Sequence, residues 1–119
     1  MASSKEEHLE SKLLHALSEP NRLRIVEQLR EGPLTVGELT DRLQLRQPQV
    51  SKHLRILYES GVVEVHAQAN RRFYKLRPDP FQDLYAWLER YRSIWEEKFD
   101  RLDSYLQKLQ NKNSHLEDE

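Results

Sequence analysis

The chain has no cysteine. That excludes disulfides, thiolate metal ligation and thiol redox sensing. Only three glycines occur among 119 residues. No glycine-rich phosphate loop can be assembled from them, and no nucleophile elbow or Ser-His-Asp arrangement is visible. Long apolar runs are missing, so neither a membrane span nor a signal-peptide core is expected, and the localisation expected is cytoplasmic. Net charge is −1, so neither sign dominates the composition. The acidic residues stand in i,i+3 and i,i+4 patterns with basic neighbours, as on a solvated helix. An enzyme is not expected.

What is present is 33% charged residues, a mean hydropathy of −0.88 and enough apolar side chains for one modest core. Charge is unevenly spread. From Arg46 to Arg77 there are seven Lys/Arg against two Asp/Glu, a balance of +5. From Pro78 to Glu119 there are six against ten, a balance of −4. A basic middle beside an acidic end suggests phosphate contact in the first and a separate task for the second.

Periodicity orders the elements. Residues 1–4 are expected to be disordered. Leu9, Leu13, Ala16 and Leu17 keep helical spacing from about Glu7 to Leu17. Ser18-Glu19-Pro20 stops that helix and starts a second, with the stripe Leu23, Val26 and Leu29, which Gly32-Pro33 ends. Thr35-Val36-Gly37-Glu38 is a capping-box pattern that opens a short third helix to about Leu43. Leu45-Arg46-Gln47 reads as a tight turn, and Pro48 opens a fourth helix that runs toward Gly61. Val62-Val63-Glu64-Val65 and Arg72-Phe73-Tyr74-Lys75-Leu76 then form a hairpin, with Gln68, Ala69 and Asn70 between them. Pro78-Asp79-Pro80 closes it, and one long helix is expected from Phe81 to about Lys112.

The fold class expected is therefore mainly α, a winged helix-turn-helix with one β-hairpin wing and a long C-terminal dimerisation helix. The domain spans 5–110, with the helix-turn-helix at 35–60, the wing at 62–77, the C-terminal helix at 81–110 and a disordered tail at 111–119.

The fourth helix carries the functional signal. Val50, Leu54 and Leu57 form its core stripe. Gln47, Gln49, Ser51, Lys52 and Arg55 point elsewhere. Amides pair with adenine edges and guanidinium with guanine, so this face suits a DNA major groove. Gln47 and Gln49 at the helix start are placed to reach bases, and Ser51 to touch phosphate. Asn70, Arg71 and Arg72 at the wing tip suit phosphates or a narrow minor groove. Arg22 and Arg24 read equally as phosphate contacts or surface charge. His53, just before a core leucine, reads as a packed residue.

The stretch Ala16-Leu17-Ser18-Glu19-Pro20-Asn21-Arg22-Leu23-Arg24-Ile25 resembles the opening signature of ArsR-type winged-helix repressors. Leu34-Thr35-Val36-Gly37-Glu38-Leu39 is similar to their third helix. Gln47-Pro48-Gln49-Val50-Ser51-Lys52-His53-Leu54 is similar to their recognition helix, and Arg71-Arg72-Phe73-Tyr74-Lys75-Leu76 to their second wing strand. The likeness runs over roughly residues 13–77. It implies a homodimeric repressor that binds a promoter palindrome in double-stranded DNA and is released by a signal. Metal sensors of that family carry a Cys-x-Cys-type pair in the third helix, or Asp and His ligands in the last. Here Thr35–Leu43 has no cysteine and Phe81–Lys112 no histidine. His8 and His15 lie two turns apart on one face of the first helix, and His115 with Asp118 has ligand-like spacing. Zinc needs about four convergent ligands, and two loose histidines on a polar helix read as solvated, so no metal and no other cofactor is expected.

At seven-residue intervals stand Phe81, Leu88, Trp95, Leu102 and Leu109, flanked by Leu84, Tyr91 and Tyr105. This is an a/d-like seam. A helix from Phe81 to Leu109 would reach about 43 Å, beyond what a small domain covers alone. The early part should pack at home and the later part should pair with a second copy. The interface expected comprises Leu9, Leu13, Leu88, Tyr91, Trp95, Leu102 and Leu109. Two other readings stand beside the repressor: a winged-helix protein–protein adaptor, and a metal- or ligand-responsive derepressor whose effector the sequence does not reveal.

Overall fold

The computed structural model describes residues 11–117, apart from the side chains at 98, 99 and 113–117. Residues 1–4, Leu9, His8 and the His115 side chain lie outside the described residues. The elements are α1 (residues 11–17), α2 (Pro20–Leu29), α3 (Val36–Leu43), α4 (Gln47–Glu59), β1 (Val63–Gln68), β2 (Arg71–Leu76), α5 (Pro78–Glu89) and α6 (Arg92–Glu117). The winged helix-turn-helix expected from the sequence is the fold observed.

Local chemistry sets each boundary. The Ser18 hydroxyl donates to the His15 carbonyl at 2.6 Å and closes α1. The Glu19 carboxylate accepts from the Arg22 amide at 2.9 Å and caps α2, with Pro20 in its first turn. Thr35 and Glu38 form the full capping box of α3: the Thr35 hydroxyl accepts from the Glu38 amide, and the Glu38 carboxylate accepts from the Thr35 amide. Gln44 ends α3 in the left-handed region, at φ 57°. Gly61, at φ 76°, turns the chain after α4 into the wing.

One core serves α1 to the start of the wing. It contains Leu13, Ala16, Ile25, Val26, Leu29, Leu34, Leu39, Leu43, Val50, Leu54, Leu57, Val62 and Val63. Tyr74 and Leu76 from β2, and Phe81 and Leu84 from α5, pack on it. The stripe of α2 differs from the one read in the sequence. Leu23 is exposed, and the buried row is Arg22, Ile25, Val26 and Leu29. That row is a complete i, i+3, i+4, i+7 set, and Leu23 lies one step off it. Arg22 belongs to the row because its Nε donates to the Ala16 carbonyl at 2.6 Å, satisfying the end of α1. Arg24 donates to the Leu43 carbonyl at 3.1 Å and ties the end of α3. Arg22 thus stays in the interior, and Arg24 is committed to the scaffold.

β1 and β2 pair antiparallel, with Val63 opposite Leu76, Val65 opposite Tyr74 and Gln68 opposite Arg71. Ala69 and Asn70 form the turn, with Ala69 at φ 56°. Leu34 adds a bridge to β2: its amide and carbonyl bond the carbonyl and amide of Tyr74 at 3.0 and 2.8 Å. The wing is thereby fastened to the chain just ahead of α3.

The C-terminal region departs from the single helix expected over Phe81–Lys112. α5 ends at Glu89, and α6 starts at Arg92. No proline or glycine causes the break. The amides of Arg90 and Tyr91 bond the carbonyls of Trp87 and Leu88, three residues back rather than four, which tightens the turn. The rings of Trp87 and Tyr91 meet edge to face across it, centroids 5.1 Å apart. α6 also continues to Glu117, past the point where a disordered tail was expected at 111. Nothing between Leu109 and Glu117 breaks a helix. The chain forms two compact units, one ending at Tyr85 and one beginning at Ala86.

Candidate nucleic-acid interface

α3, the turn at 44–46 and α4 make a helix-turn-helix. The apolar stripe of α4, Val50, Leu54 and Leu57, is 0% exposed. Gln47, Gln49, Ser51, Lys52 and Arg55 are all exposed. Burial of the stripe therefore fixes how α4 presents its polar residues. Gln49 has a second task, since its Oε1 accepts from the Arg46 amide at 3.4 Å. Its side-chain amide nitrogen remains a donor. Arg55 Nε donates to Glu59 Oε1 at 3.0 Å, an exposed pair one helical turn apart. Such a pair contributes only about 0.3–0.5 kcal/mol and yields readily to a stronger anion.

The wing separates two arginines that are neighbours in sequence. Residues directly opposite in an antiparallel pair share a face. Arg72 lies opposite Ala67, on the face of Val65 and Tyr74. This face meets α4. Ser51, Arg55 and Tyr58 from α4, with Val65, Arg72 and Tyr74 from the wing, line a groove of about 340 Å³. Arg71 lies opposite Gln68, on the other face with His66, Phe73 and Lys75. Asn70 occupies the exposed turn. The structure thus brings Ser51, Arg55 and Arg72 together and sets Arg71 apart. Tyr58 was missed in the sequence. It is 57% exposed at the groove edge, and its position next to Leu57 in an otherwise polar face was the available signal.

Arg71 acts electrostatically on α3. The Glu38 carboxyl is held below its ordinary value of 4.5, first by the hydrogen bond from the Thr35 amide and then by the Thr35 hydroxyl. Arg71 and Arg42 lower it further. On the outer face of the wing the Glu64 carboxyl is lowered too, by hydrogen bonds from His66 and then Lys75, both at 3.2 Å. His53 is packed, as its place before Leu54 suggested. Its Nε2 lies 3.7 Å from Glu19 Oε2, linking α4 to the cap of α2. Its Nδ1 is buried without a hydrogen-bond partner.

Residues 19–65 match the family model described as a bacterial regulatory protein of the arsR family. The chain is 40% identical over 67 residues to the biofilm growth-associated repressor of Agrobacterium fabrum, which covers 56% of this chain and 57% of that one. It is 36% identical over 78 residues to the transcriptional activator HlyU of Vibrio cholerae, covering 66% of this chain and 72% of that one. Among solved structures, the ArsR family transcriptional regulator RHA00566 matches with a TM-score of 0.65 and 30% identity, covering 76% of this chain and 93% of that one. The chain belongs to the ArsR family.

The family is one of transcriptional regulators rather than enzymes. In this ArsR chain the third helix, Val36–Leu43, holds no thiolate. No group of three or more His, Asp or Glu side chains is placed to hold a metal ion among the described residues. None of the described helices is long and apolar enough to cross a membrane.

The surface expected to mediate dimerisation divides. Leu13 is 1% exposed inside the chain's own core, so α1 instead presents Leu14 outward. Its place in the chain's own core removes Leu13 from the surface a partner could reach. Leu88, Tyr91, Trp95, Leu102 and Leu109 are exposed, as is the flanking Tyr105, together with Ile94 and Leu106, which the heptad count had left aside.

Proposed function

We propose that this ArsR-family chain is a sequence-specific double-stranded DNA-binding regulator, a cytoplasmic homodimer that represses transcription from a promoter palindrome. The observation that carries this reading is α4: a stripe of three fully buried residues holds out an uninterrupted face of amides, hydroxyl and cations. Gln47 and Gln49 near the helix start meet base edges, Ser51 and Lys52 meet the backbone, and Arg55 turns from Glu59 to DNA. Asn70 and the wing arginines add backbone contacts. One relative is named a repressor and another an activator. Repression is the reading favoured by the greater identity to the Agrobacterium protein.

A second copy would pair along α6. A palindrome needs two recognition helices about 34 Å apart. Leu88, Trp95, Leu102 and Leu109 offer exposed apolar side chains for a two-fold interface.

The experiment is selection of duplexes from a randomised pool, followed by affinity measured between 50 and 200 mM salt. The expected result is an enriched palindrome and a fall in affinity of about a thousandfold or more. Gln49→Ala should cost about 1–3 kcal/mol on the selected site and relax preference at one base step. No enriched sequence and no salt-steep binding would favour the protein–protein adaptor instead.

A further inference from the structure

We propose that the groove between α4 and the wing seats a single phosphodiester of the DNA backbone, held by Arg72 and the Tyr58 hydroxyl, and that Arg71 does not share this site. The inference rests on the DNA-binding reading and refines it to one anion and two side chains.

Arg72 projects on the strand face that meets α4, and its guanidinium forms no hydrogen bond or ion pair among the described residues. Tyr58 is exposed at the same groove, and its hydroxyl has no hydrogen-bond partner among the described residues. Ser51 adds a second hydroxyl, and Arg55 a second guanidinium whose Nε alone is committed to Glu59. Hydroxyl and guanidinium donors around one groove match the acceptor oxygens of a phosphodiester. Val65 and Tyr74 supply an apolar wall. An anion against such a wall feels the guanidinium more strongly than one in open water. No carboxylate lines the groove. The chemistry is that of an uncommitted anion site, at the edge of the helix that carries the base-reading side chains.

Arg71 differs by strand alternation alone. It lies on the opposite face beside Gln68, and its charge acts on Glu38 of α3. It stands on the back face of the wing, outside this groove.

The test uses the full chain and a duplex selected by it from a random pool. Each backbone phosphate is replaced singly by an uncharged methylphosphonate, and affinity is measured for the wild type, Arg72→Ala, Tyr58→Phe and Arg71→Ala. The wild type should lose about tenfold at one phosphate in each half-site, the loss of a charged hydrogen bond. Arg72→Ala should lose about tenfold on the unmodified duplex, and Tyr58→Phe a few-fold. Both should become insensitive, wholly or in part, to substitution at that phosphate. Arg71→Ala should keep the wild-type profile, whatever its overall affinity. Thermal melting shows that each variant is folded, and all three side chains are exposed. An Arg72→Ala profile identical to wild type, or loss of the sensitive position in Arg71→Ala, overturns the proposal while leaving DNA binding intact. Failure of the wild type to enrich any duplex overturns the DNA-binding reading, and this site with it.

Discussion

α4 and α6 carry the same kind of pattern and meet opposite fates. In α4 the stripe Val50, Leu54 and Leu57 vanishes completely into the core. In α6 the stripe Trp95, Leu102 and Leu109 stays substantially exposed, with Leu102 at 51%. Periodicity alone says that one side of a helix wants to leave water. It does not say what will cover it. In α4 the cover is supplied by α2, α3 and β1 of the same chain. For α6 no such cover exists among the described residues, which is the physical basis for assigning a second copy to that face.

The largest test of this contrast is Leu54→Ala. A core cavity there should cost about 2–5 kcal/mol of folding stability, read by denaturant melts. Leu102→Ala, measured on chain diluted to monomer, should cost less than about 0.5 kcal/mol, as for an ordinary surface change. Equal costs would show that the two stripes do not differ as described.

Trp95→Asp addresses the other side of the comparison. Removing that ring from a paired seam should weaken dimerisation by about 1.5–3 kcal/mol per copy. Sedimentation equilibrium should show the shift toward monomer, while the melt of the winged unit is retained. A wild type that sediments as a monomer at micromolar concentration, or a variant that stays dimeric, rejects the role given to α6.

The smallest effect concerns the frame that holds α4. Thr35→Ala removes the cap of α3 and should cost about 1 kcal/mol. It also removes one of the donors that lower Glu38. A carboxyl whose folded pKa is lowered stabilises the fold above its unfolded value, and that stability is lost as pH falls through the folded value. For Glu38 and Glu64 the window therefore opens below 4.5. Acid titration of stability should show a shallower loss in Thr35→Ala than in wild type. Parallel acid limbs would mean that Thr35 does not tune Glu38.

How far these features could be read in advance depends on their range along the chain. The Thr35–Glu38 capping box, the stripe of α4 and the hairpin were legible because each is fixed within a short stretch of neighbouring residues. The exposed positions Gln47, Gln49, Ser51, Lys52 and Arg55 followed from that stripe, although their contact with DNA rests on the proposal. Leu13 was misplaced because helical spacing marks it as apolar without telling core from interface. Leu23 was misplaced because a buried arginine, not a leucine, completes the row of α2. The break at Arg90–Tyr91 has no proline or glycine to announce it. The division between Arg71 and Arg72 needed the register of β1 on β2, which a short strand with a polar tip leaves open.

The bridge between Leu34 and Tyr74 has a kinetic consequence. These residues are about forty positions apart, and their pairing closes a loop that contains α3, α4 and the wing turn. Closing so long a loop carries an entropy that local helix formation does not. The helix-turn-helix can therefore form its own contacts early, while the bridge waits for the wing to arrive. Once made, it can open only by releasing the wing from the chain that leads into α3. Slow deuterium exchange at the Leu34 and Tyr74 amides, at the rate of the slowest core amides, is the mark such a late-closing clasp would leave.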